Sequence, residues 1–131
     1  QEVRNKLYEL GLYTADVEQQ IALLIERDLL NEERFARAYA RGKFRLKKWG
    51  RVKITQGLKQ RRISPYLIKL ALTEIDVNEY FRTLEELAGK KLECLSKERN
   101  SFKKNQRVYA FLAQRGFESQ MIREVLNSFK E

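Results

Sequence analysis

Apolar residues recur at intervals of three and four along most of this 131-residue chain. Val17, Ile21 and Leu24 show this spacing near the start, and the same spacing returns over residues 81–95 and 122–129. Three-four spacing places apolar side chains on one side of an α-helix, whereas a strand would show alternation, which is hard to find here. We therefore predict an all-α fold.

Capping side chains and a single proline divide the chain into about eight predicted helices. Ser, Thr, Asp and Asn accept hydrogen bonds from the free N–H groups of a first helical turn, and Pro is suited to that turn. We expect separate helices to begin near Ala15 and at Asn31, and a long one to run from Asp76 to about Glu98. The predicted start signals are Thr14, Asn31, Gly50, Ser64 with Pro65, Asp76, Asn100 or Ser101, and Ser119.

Three segments of the chain share a pattern of apolar positions. The matching sets are Leu7, Leu58 and Leu112; Leu12, Ile63 and Phe117; Val17, Ile68 and Ile122; and Ile21, Leu72 and Leu126. Chance alignment of helical hairpins is the alternative, but Thr14, Pro65 and Ser119 share the same register, which argues against it. A unit this small cannot bury its own apolar face, so we predict tandem three-helix repeats stacked in an elongated, curved array. The expected repeats are residues 1–30, which lack a leading helix, 31–75 and 76–131.

The positive charge of the chain is concentrated in one segment. The net charge is +9, yet residues 1–33 carry −5 and residues 63–131 carry only +2, whereas residues 34–62 contain twelve basic and no acidic side chains. Such a segment favours polyanions or acidic protein surfaces as partners. We predict partner binding by Arg34, Arg37, Arg41, Arg45, Lys48, Arg51, Lys53, Lys59, Arg61 and Arg62.

Five of these residues form a predicted stripe on one helix. Arg34, Arg37, Arg41, Arg45 and Lys48 fall within an arc of roughly 80° and span about 21 Å. A solvated face with no binding role is the alternative, but such faces usually include Glu, and five uncompensated like charges cost stability. We therefore expect the stripe to face a partner.

Aromatic and apolar residues of the same segment are predicted to pack in the core. Phe35, Tyr39 and Leu46 lie on the helix side opposite the basic stripe. Trp49 is expected to close the end of the helix against the core, although stacking on a base or a partner is the alternative. Gly42 weakens the helix, and either close packing or a kink could explain it.

Several absences limit the chemistry of the chain. There is no His and only one Cys, Cys94, which excludes histidine-dependent catalysis, an internal disulfide and a Cys-rich zinc site. No Gly-rich phosphate loop or nucleophile–base pair is visible. We expect a protein that is not an enzyme, uses no cofactor or metal, and has no membrane span. A reducing compartment, the cytoplasm, is the simplest location.

Two groups of residues resemble a known family. Residues 31–36 with Tyr39, and residues 48–54 with Leu58 and Ile63, resemble the central signature of the RecX regulatory proteins, and residues 112–117 with Ile122 and Leu126 resemble that family's C-terminal repeat. The chain differs at Arg62, where Gly is frequent before the turn, and at Asp28, where a small residue is frequent.

The resemblance implies three tandem three-helix repeats in a bacterial cytoplasmic protein. It also implies a regulator that binds RecA or the RecA–single-stranded-DNA filament and inhibits strand exchange, ATP hydrolysis and co-protease activity in the SOS response and DNA repair. We expect a monomer that contacts the filament through its basic helix face. Contacts with single- or double-stranded DNA are expected to be made through phosphates. The alternative is a non-specific nucleic-acid-binding helical module. Base-specific reading is disfavoured because the helix after Arg61, Pro65–Leu72, is mostly apolar.

Overall fold

The computed structural model describes residues 14–130, and it shows six α-helices and no strand within them. The all-α prediction is confirmed, but the predicted count of about eight helices is not matched. The predicted apolar positions Leu7 and Leu12 and the capping side chain of Thr14 lie outside the described residues. The helices are α1 (Thr14–Lys47), α2 (Arg51–Gln60), α3 (Pro65–Leu72), α4 (Val77–Cys94), α5 (Ser101–Gln114) and α6 (Ser119–Ser128).

The chain divides into two compact units, residues 1–35 and 36–131. In the described part of the first unit Val17 is fully buried, whereas Leu24, predicted to share its face, is exposed. The second unit contains helices α2 to α6 and the last part of α1. None of the helices within residues 14–130 combines the length and apolar character that crossing a bilayer requires.

The largest difference from the prediction is the continuity of α1. Separate helices were expected to begin near Ala15 and at Asn31, but α1 runs unbroken for 34 residues. No Pro or Gly stands between Thr14 and Arg41. An Asn inside a helix costs only about 0.7 kcal/mol relative to Ala, so Asn31 alone does not end the helix.

Most of the other predicted helix starts are confirmed by their capping bonds. Ser64 accepts a hydrogen bond from the Leu67 N–H and is followed by Pro65 in the first turn. Asp76 caps α4, and Asn100 accepts from two N–H groups of α5. The predicted cap at Ser119 is wrong: Glu118 occupies the cap position without capping through its side chain.

The core of the second unit meets α1 along a strip of two alanines and a phenylalanine. Ala36, Ala40 and Phe44 step by four and are buried, so α1 packs closely against its neighbours there. The prediction that Phe35 and Leu46 lie in the core is wrong, since they are 45% and 84% exposed. Tyr39 and Trp49 are half-buried and pack against the edge of the core, as expected for Trp49.

Helices α2 and α5 end in the same way. At the end of α2 the Ile63 N–H donates to the Leu58 carbonyl, and the Arg62 N–H donates to the Lys59 carbonyl. At the end of α5 the Phe117 N–H donates to the Leu112 carbonyl, and the Gly116 N–H donates to the Ala113 carbonyl. This pair of hydrogen bonds is a Schellman motif, which needs a residue with a left-handed backbone after the helix. Arg62 (φ 61°) and Gly116 (φ 96°) are those residues. The two turns match the predicted pairing of Leu58 with Leu112 and of Ile63 with Phe117. The boundaries of the three repeats stay a prediction.

Two glycine-containing turns touch backbone to backbone. The Gly50 N–H donates to the Arg115 carbonyl at 2.8 Å, and the Val52 N–H donates to the Gly116 carbonyl at 2.9 Å. A Cβ added at Gly50 would lie 2.3 Å from the Gly116 carbonyl carbon. This junction joins the start of α2 to the turn between α5 and α6.

Candidate partner-binding surface

The ten predicted binding residues do not form one continuous stripe in the structure. Arg34 is exposed in the first unit. Lys48 lies beyond the end of α1 and has a left-handed backbone, with φ 58°. Lys59 and Arg62 are exposed at the end of α2. The remaining six residues lie in three places, which are described in turn.

The arginine row, defined as Arg37, Arg41 and Arg45, is paired with carboxylates of this chain. Glu74 accepts from Arg37 at 2.7 Å and from Arg41 at 2.5 Å, and Glu79 lies 3.8 Å from Arg45. The expectation that these charges are uncompensated is therefore wrong. Hydrogen bonds from Arg41 and then Arg37 hold the pKa of Glu74 below its ordinary value of 4.5.

The row meets these carboxylates because of its position on α1. Its residues border the buried Ala36–Phe44 strip, so they face the residues that pack on the same strip. Glu74 lies in the turn between α3 and α4, and Glu79 lies in the first turn of α4. The row nevertheless stays open to solvent, with Arg41 and Arg45 side chains 44% and 61% exposed.

Arg51 is engaged in an internal contact. Its guanidinium donates to Glu118 at 2.9 Å and lies over the Tyr80 ring, 4.1 Å from the ring centre. Tyr80 accepts the Arg51 backbone N–H at 2.9 Å and donates its hydroxyl proton to Glu118. Burial and the bond to Glu118 raise the pKa of Tyr80 above its ordinary value, so the hydroxyl remains a donor. Arg51 thus joins α2 to α4 and α6.

Lys53 and Arg61 lie on the other flank of the buried strip, among aromatic rings. The Lys53 ammonium lies 4.6 Å from the centre of the Trp49 ring, and the Arg61 guanidinium lies 4.8 Å from that of Tyr39. Lys43, which was not among the predicted residues, lies 4.8 Å from the Trp49 ring centre and 5.4 Å from that of Tyr39.

These side chains line two open clefts that share Trp49 and Lys53. We call them the cationic clefts. The first, of about 270 Å³, is lined by Tyr39, Lys43, Trp49, Lys53, Gln56, Gly57, Gln60 and Arg61. The second, of about 400 Å³, is lined by Lys47, Trp49, Lys53, Phe111, Gln114 and Arg115.

Sequence reasoning missed the cationic clefts for a physical reason. Phe111 and Arg115 are distant from residues 34–62 in the chain, and they lie beside Trp49 through tertiary contacts that include the Gly50–Gly116 junction. By contrast, the proximity of Tyr39 and Lys43 could be predicted from the sequence, because residues four apart on a helix are neighbours. In the part of the chain that the structure describes, no three His, Cys, Asp or Glu side chains are grouped to hold a metal ion.

Comparison with known proteins gives consistent matches. The family model "RecX, second three-helix domain" matches residues 31–72, and "RecX, third three-helix domain" matches residues 78–126, together most of the chain. A protein of Clostridium perfringens strain 13 named "Regulatory protein RecX" is 34% identical over 118 residues, which are 89% of this chain and 55% of that protein. One of Chlorobaculum tepidum with the same name is 31% identical over 125 residues, which are 95% of this chain and 75% of that protein.

The fold is similar to a solved structure. The crystal structure of RecX from Lactobacillus salivarius matches with a TM-score of 0.72 at 22% identity, covering 98% of this chain and 83% of that one. This chain spans just over half the length of the clostridial relative. From the matched three-helix domains and these relatives, the chain belongs to the RecX family of regulatory proteins.

Proposed function

We propose that this chain is a non-enzymatic regulator that binds RecA or the RecA–single-stranded-DNA filament. It inhibits the recombinase, ATPase and co-protease activities of RecA through its basic surface. The observation that carries the proposal is the segment of twelve cations and no carboxylate at residues 34–62, in a chain of the RecX family. Any change in ATP turnover belongs to RecA, since the chain itself is proposed only to bind.

The internal ion pairs of the arginine row are compatible with a contact role. Arg41 and Arg45 remain 44% and 61% exposed despite their pairs with Glu74 and Glu79, so their guanidinium groups stay accessible to a partner. A guanidinium has five N–H donors. An ion pair at an exposed site contributes less than about 1 kcal/mol to the stability of the fold. An anionic partner can therefore bind the row without a large cost for displacing Glu74 or Glu79.

Attraction between charged surfaces also fits the regulation of a long filament. A basic surface speeds the encounter with an acidic protein or with nucleic acid and discriminates against basic partners. Several weak contacts to neighbouring subunits would add up to tight binding when they act together. The proposed contact residues are the ten predicted from the sequence, with Arg51 acting through its internal contact rather than directly.

The proposal is tested by RecA ATP hydrolysis on single-stranded DNA. The wild-type chain is expected to inhibit hydrolysis, and the variant Arg37→Gln/Arg41→Gln/Arg45→Gln is expected to need a higher concentration for the same inhibition. Neutral Gln is preferable to Glu, because three new carboxylates beside Glu74 and Glu79 would destabilise the fold by repulsion.

The control removes the same number of charges elsewhere. Lys90, Lys97 and Lys103 are exposed on and between α4 and α5. The variant Lys90→Gln/Lys97→Gln/Lys103→Gln is expected to inhibit like the wild type. If the folded arginine-row variant inhibits undiminished at physiological salt, the row is not the contact. If the wild-type chain leaves RecA activity unchanged, the proposed function is wrong.

A further inference from the structure

We propose that the two cationic clefts bind successive phosphates of one single strand of nucleic acid, with Lys43 and Lys53 as the central contacts. The proposal rests on the proposed function in one respect, because the strand would be one that the RecA filament presents or releases. It goes beyond that function by naming a ligand and a site apart from the arginine row.

The central cations are held in position by aromatic rings. The ammonium groups of Lys43 and Lys53 lie 4.8 Å and 4.6 Å from the centre of the same Trp49 ring, so they are at most 9.4 Å apart. A ring attracts a cation by about 0.5–1 kcal/mol at an exposed site. This attraction favours positions of the two lysines beside the ring before any ligand binds, which lowers part of the entropy cost of binding.

The walls of the clefts contain no acidic side chain. Their linings consist of cations, aromatic rings, a glycine and three glutamines, Gln56, Gln60 and Gln114. The arginine row differs, because Glu74 and Glu79 form ion pairs with its guanidinium groups. An anion that enters the clefts thus meets positive charge without competition from a carboxylate of the lining.

The composition of the clefts favours phosphates of a nucleic acid over carboxylates of an acidic peptide. Lys43, Lys47 and Lys53 supply compact point charges, and Arg61 and Arg115 supply planar guanidinium groups; both kinds of cation pair with phosphate. Surfaces that bind single strands combine a positive groove for the backbone with aromatic side chains for the bases. Trp49 and Phe111 line the second cleft together and supply that aromatic component.

The floor of the clefts is fixed by backbone contacts. Arg115 donates to the Lys47 carbonyl at 2.9 Å, and Arg61 donates to the Gly57 carbonyl at 3.1 Å. The bonds between Gly50 and Arg115 and between Val52 and Gly116 hold the two clefts side by side. A strand that crosses from one cleft to the other passes over Trp49, the residue that lines both.

Trp49 is the only tryptophan of the chain, so its fluorescence reports directly on the clefts. The experiment titrates the full chain with a short oligothymidylate and follows tryptophan emission at several salt concentrations. We expect saturable quenching by the wild type. The variant Lys43→Gln/Lys53→Gln is expected to bind more weakly by on the order of tenfold. Its slope of log affinity against log salt should be shallower by about 1.4, since each single-strand phosphate contributes about 0.7.

A matched double variant, Lys90→Gln/Lys103→Gln, removes two charges outside the clefts and is expected to bind like the wild type. Thermal unfolding and circular dichroism confirm that each variant is folded. If the wild type shows no saturable quenching, or if the cleft variant binds with unchanged affinity and salt slope, the proposal is wrong. If polyglutamate binds as tightly as the oligonucleotide and needs the same two lysines, the ligand is an acidic polypeptide and the assignment to nucleic acid is overturned.

The same variants separate this proposal from the proposed function. Oligonucleotide binding is measured without RecA, whereas inhibition is measured by RecA ATP hydrolysis. A wild-type chain that binds the oligonucleotide through the clefts but leaves RecA unaffected contradicts the proposed function alone. A chain that inhibits RecA but binds no oligonucleotide contradicts the cleft proposal alone.

Discussion

Gly50 and Gly42 are close in the chain but differ in what a side chain would meet. A Cβ at Gly50 would overlap the backbone of Gly116, whereas a Cβ at Gly42 would meet no atom within 4 Å. We predict that Gly50→Ala lowers the free energy of unfolding by about 2–3 kcal/mol through overpacking. Gly42→Ala, inside α1, should raise it by about 0.5–1 kcal/mol.

Urea denaturation of the two alanine variants measures this difference. Equal effects of the two substitutions would contradict the close contact between Gly50 and Gly116. The result also bears on Gly42, for which the sequence left close packing or a kink as explanations. Because no atom lies near its missing Cβ, close packing is not the reason for glycine at this position.

Arg62 is a non-glycine residue at a position that favours glycine. Its φ of 61° is left-handed, and the equivalent turn after α5 uses Gly116. A left-handed backbone costs a side-chain-bearing residue about 1–2 kcal/mol, which is partly offset by the greater chain entropy of unfolded glycine. We predict that Arg62→Gly raises the free energy of unfolding by about 0.5–1 kcal/mol.

The matched substitution is Gly116→Ala, which introduces strain at φ 96° and a contact with Lys53, and it should destabilise. Thermal unfolding of both variants tests the pair. A lower midpoint for Arg62→Gly would show that the arginine side chain contributes more through its own contacts than its backbone strain costs.

At the scale of the helix, Glu74 links α1 to the turn before α4. Its pKa is lowered in the fold by Arg41 and Arg37. The stabilisation it contributes is therefore fully present above its ordinary pKa of 4.5 and is lost as the pH falls through the lower folded value. We predict that Glu74→Gln destabilises the chain by less than about 1 kcal/mol at neutral pH, and that the difference from the wild type shrinks in acid.

The measurement is the free energy of unfolding of both proteins across the acid range. A difference that persists unchanged well below the ordinary Glu pKa would mean that Glu74 acts through packing rather than through its charge. The same substitution removes the carboxylate that occupies the arginine row, so it also provides a chain in which Arg37 and Arg41 lack that partner.

The helices show which structural features local sequence can predict. Ser64, Asp76 and Asn100 cap their helices because the capping bond joins neighbours in the chain. Glu118 replaces Ser119 as the cap residue, and its side chain is used by Tyr80 and Arg51, which are distant in sequence. Ala36, Ala40 and Phe44 have a four-residue spacing, but alanines carry little hydrophobic signal, so the sequence pattern favours the larger Phe35 and Leu46 as core residues, although both are exposed.

At the scale of the whole molecule, the fold class and the family followed from residue patterns, while the arrangement of charge did not. A segment with twelve basic and no acidic side chains, residues 34–62, is visible in the sequence. Which cations meet Glu74, Glu79 or Glu118 depends on tertiary contacts over 30 or more residues. The same is true of Phe111 and Arg115, which line a cleft with Trp49. The sequence thus located the basic surface but not its division into an arginine row, an internal contact and two clefts.

The most direct test of the proposed function compares binding to bare and RecA-coated single-stranded DNA. Cys94 is the only cysteine and is exposed, so a fluorescent label placed there reports binding by anisotropy. Because contacts to several filament subunits act together, we predict tighter binding to the coated strand at physiological salt. Equal or tighter binding to the bare strand would contradict the account and favour a general nucleic-acid-binding module.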